Sequence, residues 1–130
     1  MTKSEALFSD FQNAHARFIE ILNEKPSDIV RDSAIKRFEL VFDLSWKLIK
    51  ASLEERGVFC ASPLTCFKDG YRQGMLADEK MWITMVELRN KTVHTYDLAL
   101  AEDVWRALPE LLPAFERLAR MLTNQSPISS

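Results

Sequence analysis

A chain of 130 residues, 47% of them hydrophobic, suits one domain with its own core. A formal net charge of -2 argues against a generally basic nucleic-acid binder, so no DNA partner is expected and any RNA contact needs a local patch. The N-terminus lacks a basic stretch leading into an apolar run, and no segment is apolar for the length of a membrane span; a cytoplasmic protein is the reading.

The first predicted helix runs from about Ser4 to Asn23, with Phe8, Phe11, His15, Phe18 and Leu22 spaced alternately by three and four. A lone histidine on that seam reads as a core or interface residue rather than a ligand. Lys25-Pro26-Ser27 breaks the chain, and Ser27 caps a long second helix over Asp28 to Arg56 that stops at Gly57. Ile35, Phe38, Phe42, Ser45, Ile49 and Leu53 form its stripe, and Val41, Leu44 and Leu48 widen it. An arc this broad predicts service in both the bundle core and a subunit interface. The polar flank carries Glu39, Asp43, Lys47 and Lys50 beside Trp46. It reads either as a solvated face of i,i+4 pairs, or as carboxylates orienting Arg89 or His94 with Trp46 walling a groove. Two carboxylates with no histidine or cysteine ligand nearby predict no metal site.

Cys60 and Cys66 are the only cysteines, too few for a structural zinc site, and free thiols are expected rather than a disulfide. Ser62-Pro63 opens a short helix that ends near Gly74, with Cys66, Phe67 and Tyr71 on its buried side. Asp78 caps a helix through Arg89 carrying Met81, Trp82, Met85 and Leu88 at helical spacing. Ala101 to Leu122 forms the last helical region, where Pro109 and Pro113 predict a kink or break from Leu108. The domain therefore covers 1-122, and 123-130 is expected to be a frayed, disordered tail. The implied fold is an all-α, up-and-down four-helix bundle with one additional short helix.

The segment Arg89-Asn90-Lys91-Thr92-Val93-His94-Thr95-Tyr96 concentrates chemistry: a permanent cation suited to phosphate, an imidazole able to move protons, and a phenol. Arg89, Lys91, Arg72, Lys68, Lys47 and Lys50 are candidates for a basic patch. A straight helix through this segment would place Arg89 and Tyr96 on the apolar arc and His94 nearly opposite. An arginine there requires an anionic partner, either a helix-bridging Glu39 or Asp43 or a bound phosphate. Either the helix ends near Thr92-Val93, or a second subunit completes the site.

The run Arg37-Phe38-Glu39-Leu40-Val41-Phe42-Asp43-Leu44-Ser45-Trp46-Lys47 resembles the RFExxFExxWK helix of the nucleotidyltransferase substrate-binding proteins, within the HEPN superfamily. Gly57, Ser62-Pro63, Gly74, Trp82-Ile83-Thr84-Met85 and the Arg-x4-His-x-Tyr element follow in order, so the resemblance spans roughly Ile35 to Pro113. Asp43 stands where the family more usually has glutamate. The resemblance implies the bundle fold, a homodimer and a minimal nucleotidyltransferase as partner, with no cofactor. In toxin-antitoxin branches it implies a metal-independent ribonuclease silenced by adenylylation of the motif tyrosine. Carried onto this chain, Arg89 and His94 would be catalytic, Asn90, Glu39 and Asp43 supporting, and Tyr96 the nucleotide acceptor. Trp46, Lys47 and Trp82 would line the groove for RNA or nucleotide. A non-catalytic substrate-binding subunit of a two-component nucleotidyltransferase is the alternative.

Overall fold

Helices in this chain begin where a short polar side chain can receive the first free amides. Thr2, Ser27, Ser62, Asp78 and Asp97 accept hydrogen bonds from the amides of Glu5, Val30, Thr65, Met81 and Ala99, at 2.9 to 3.3 Å. At Ser62 the bond is reciprocated by Thr65, closing a capping box ahead of Pro63. Gly57 and Gly74 take φ of +76° and +75°. The amides that follow them reach back five residues, Val58 to Leu53 at 3.0 Å and Met75 to Gly70 at 2.8 Å, which closes the preceding helices.

The structure, a computed structural model, describes residues 1–124. Its elements are α1 (Lys3–Leu22), α2 (Asp28–Glu54), α3 (Pro63–Arg72), α4 (Glu79–Lys91), α5 (Leu98–Ala107) and α6 (Leu112–Asn124). Single 3-10 turns occupy Thr92–His94 and Leu108–Leu111. Helices α1, α2, α4 and the broken α5–α6 rod are the four members of the bundle, and α3 is the additional short helix. The break falls at Leu108, as the prolines predict, while Pro113 sits in the first turn of α6 where its missing N–H costs nothing. Residues 123 and 124 are part of α6. The rest of the expected tail, 125–130, lies outside the described residues.

Helix α2 is the hub, packing against α1, α3, α4 and α5. Its entire predicted stripe is buried, and so are Val41 and Leu48. Much of the broad apolar arc is thus consumed inside one protomer, leaving Ile29 and Leu40 exposed. An aromatic column runs through the middle: Trp82 lies 4.9 Å from Phe67 and 5.6 Å from Phe115, which meets Phe18 edge-on at 6.2 Å. Such pairs add to the burial of large apolar surfaces. His15 stacks on Phe11 at 5.8 Å and packs against Phe115, so it belongs to this core. Arg31, unremarked in the sequence, is buried at the start of α2, where Asp28, Asp32 and Glu102 pair with it and tie α2 to α5.

The expectation of free thiols is overturned. Cys60 and Cys66 form a disulfide, with their Cα atoms 5.2 Å apart. The α2–α3 connection doubles back through the Ser62 cap, which brings the loop cysteine beside the buried second turn of α3. No helix among the described residues is long and apolar enough to cross a membrane.

Candidate functional site

The inner face of α4 carries Trp82, Met85 and Leu88, all buried, and one turn beyond Met85 the same face presents Arg89. The helix stops at Lys91 because Thr92 competes with its backbone: the Thr92 hydroxyl donates to the Arg89 carbonyl at 2.7 Å. Arg89 Nη1 in turn donates to that hydroxyl oxygen at 3.0 Å. The guanidinium bridges to α2, with Nη1 3.4 Å from Glu39 Oε2 and Nε 3.8 Å from Asp43 Oδ1. The i,i+4 carboxylates of α2 therefore both face the arginine of α4. They are not equivalent. Glu39 is closer and more buried, whereas Asp43 is 41% exposed and beyond hydrogen-bond reach, and Arg89 Nε is buried with no hydrogen-bond partner.

Past Thr92 the chain tightens into the 3-10 turn and closes with the Asp97 amide on the His94 carbonyl at 3.0 Å. The regular helix thus ends at the Thr92-Val93 run, yet this does not join His94 to Arg89. Tyr96 leaves the apolar arc and is 82% exposed, and His94 is exposed beside it. His94 Nδ1 and Tyr96 Oη are 3.2 Å apart, with the rings edge-on at 5.9 Å. If the phenol donates to Nδ1, the neutral ring carries its proton on Nε2; if Nδ1–H donates to the phenol oxygen, Nε2 is left as a base. Within one protomer the site thus has two halves, Arg89 with Glu39, Asp43 and Thr92, and His94 with Tyr96. Among the described residues no hydrogen bond, ion pair or ring contact joins them.

Beside the arginine half is an open groove of about 470 Å³ between α2, α4 and the start of α3. Trp46, Pro63, Leu64 and Val93 supply apolar wall, and Asp43, Ser62, Arg89 and Asn90 supply polar groups. Lys50 Nζ lies 5.9 Å from the Trp46 ring centroid, which puts a cation beside the aromatic wall. Trp46 and Asn90 thus occupy the groove, and Lys47 is exposed on the same flank of α2. Trp82 does not line it: its side chain is 2% exposed and serves the aromatic column. Of the other basic-patch candidates, Arg72 is tied to Asp69 at 3.0 Å. Sequence reasoning missed Thr92, and also the wall from Ser62 to Leu64. A polar β-branched residue three positions beyond Arg89 on its own face was the available signal for the first. The second depends on how the α2–α3 loop folds back. Among the described residues no group of three or more histidine, cysteine, aspartate or glutamate side chains is placed to hold a metal ion.

These features define a helical bundle that exposes an imidazole–phenol pair one turn beyond a half-buried arginine bridged to α2. Residues 6–124 match the family model described as nucleotidyltransferase substrate binding protein like, and the chain belongs to that family. A Haemophilus influenzae protein named "Probable ribonuclease HepT" is 32% identical over 93 residues, which are 65% of this chain and 64% of the relative. The match thus spans a little under two thirds of that curated relative's length. A solved structure from Thermus thermophilus is 35% identical with a TM-score of 0.79, covering 85% of this chain and 98% of its own. A second, from Haemophilus influenzae, is described as the fold of a substrate binding domain of a nucleotidyltransferase. It shares the fold at a TM-score of 0.69 and 24% identity, over 92% of this chain and 96% of its own.

Proposed function

We propose that this protein is the HEPN partner of a minimal nucleotidyltransferase and acts as a metal-independent endoribonuclease, the toxin of a toxin–antitoxin pair. The observation that carries the reading is the exposed His94–Tyr96 pair, 3.2 Å apart, one turn beyond Arg89. In this mechanism His94 takes the proton of a ribose 2′-hydroxyl. The 2′-oxygen bonds to phosphorus, the bond from phosphorus to the 5′-oxygen breaks, and a second imidazole protonates the leaving oxygen. The products are a 2′,3′-cyclic phosphate and a 5′-hydroxyl, and proton transfer of this kind contributes roughly 10²–10⁴-fold. Arg89 stabilises the charge developing on the phosphoryl oxygens. One protomer offers a single histidine at this motif, separated from its own arginine half, so the reading calls for a homodimer whose copies pool Arg89 and His94. Adenylylation of Tyr96 bonds its phenol oxygen to the α-phosphorus of ATP and releases pyrophosphate. It leaves a bulky phosphodiester against the imidazole and so silences the site.

Incubation of the purified protein with single-stranded RNA in excess chelator is the test. The wild type is expected to cut, and His94→Ala to abolish cutting without loss of helicity. Mass spectrometry after coexpression with the cognate nucleotidyltransferase should find AMP on Tyr96; AMP elsewhere, or none, overturns the silencing mechanism. The second reading, a non-catalytic substrate-binding subunit, draws on a different observation. Arg89 is engaged by Glu39 and Thr92 beside a ready groove, so a ligand can bind there with no bond broken. Partner or nucleotide binding without any RNA cleavage would establish it.

A further inference from the structure

The groove beside Arg89 has a chemical character of its own. Its aromatic wall is Trp46, its far wall is the Pro63-Leu64 turn pinned by the Cys60–Cys66 bridge, and the Asp43 carboxylate stands in it beyond hydrogen-bond reach of Arg89. An aspartate 3.8 Å from its nearest cation and 41% exposed keeps lone pairs available to a ligand. A carboxylate only accepts, so it selects an edge with adjacent donors. An indole wall favours a flat π-system, and base stacking on an aromatic side chain tolerates any base. Asn90, on the same groove, offers an amide able to donate.

We propose that this groove is a nucleobase slot with preference for guanine, supplied by a single-stranded RNA. The inference rests on the RNA reading above only for the source of the base. Guanine presents N1–H and its 2-amino group side by side, matching the two oxygens of Asp43, while its O6 accepts from the Asn90 amide. Adenine and cytosine offer one amino group next to a ring nitrogen lone pair that repels the second carboxylate oxygen. Uracil flanks its single N–H with two carbonyls and fits worst. Lys50 and Lys47 lie on the same flank of α2, where the diester backbone of the strand would run.

Titration of the full-length protein with GMP, AMP, CMP and UMP in chelator, followed by calorimetry, reads the slot directly. GMP should bind at least ~10-fold tighter than UMP, the scale of one good bidentate base contact. Asp43→Asn should flatten that ranking, and Trp46→Ala should weaken all four nucleotides by on the order of 10-fold. Equal affinities for the four, or a guanine preference indifferent to both substitutions, overturns the proposal. If Asp43→Asn fails to fold, the wild-type ranking and Trp46→Ala still decide it. A UGU ribotrinucleotide that outbinds GMP supports the RNA strand as source, and no gain over GMP overturns that source in favour of a free guanine nucleotide. The nuclease reading fails separately: guanine preference without cleavage removes the nuclease alone, and cleavage without any guanine preference removes the slot alone.

Discussion

Arg89 shows how one side chain can be both structural and chemical. Its fork is divided among Glu39, the Thr92 hydroxyl and the more distant Asp43, so truncation strands a partly buried carboxylate. Arg89→Ala should lower stability by about 1–3 kcal/mol in denaturant titration, the cost of a buried polar group losing its partner. Arg89→Lys keeps the charge and loses the planar fork, so it should fold close to normally while RNA cleavage collapses. A lysine variant that cuts RNA at the wild-type rate would remove the arginine from the mechanism. His15 makes the opposite case. Burial lowers its pKa, with Glu116 acting the other way, and its Nε2 is buried without a hydrogen-bond partner. The folded state therefore holds the ring neutral, and the unfolded chain binds the proton more readily. The stabilisation is complete above the ordinary histidine value of about 6.5 and is lost as pH falls below it. Melting temperature should drop over that acidic range, and His15→Phe should shrink the drop; an unchanged pH profile in the variant would refute the assignment.

At the scale of elements, the informative segments are those where regular helix stops. The Cys60–Cys66 bridge closes a short loop, and Cys60→Ala should cost about 2 kcal/mol by the chain-entropy argument. Chemical denaturation with and without reductant checks this: reduction should destabilise the wild type and leave the variant unaffected. The 3-10 turn at Thr92–His94 has more bearing on function, because it turns the His94–Tyr96 pair out of the bundle while Arg89 stays half-buried. Caps at Ser27, Ser62 and Asp78 and the break at Leu108 were legible because each is local chemistry: a side-chain oxygen on an amide, or a proline without one. The disulfide was not legible, since two cysteines six residues apart carry no information about the angle between the segments holding them.

For the whole molecule, the proposed function turns on association. The proposed composite site calls for a second copy, and of the two exposed apolar side chains of α2, Ile29 and Leu40, the half-exposed Leu40 directly follows the Glu39 that meets Arg89. Sedimentation should find a dimer for the wild type and a shift toward monomer for Leu40→Asp, with RNA cleavage falling in parallel. A monomeric wild type that still cuts RNA would refute the pooled site. The width of the α2 arc does not by itself require such an interface, because Val41 and Leu48 are already buried within one protomer.

Periodicity and capping were enough to determine the helices, their order and most of the core, since each depends on neighbours within a few residues along one helix, although Tyr71, expected on the buried side of α3, is exposed. The order of weak motifs from Arg37 to Tyr96 was enough to determine the family. Only the tertiary structure could decide that Trp82 belongs to the core and Trp46 to the groove, that Glu39 rather than Asp43 is the nearer partner of Arg89, and that Cys60 meets Cys66. Those outcomes depend on the angles and distances at which separate helices meet. Packing of the whole bundle sets them, and no spacing along the chain records them.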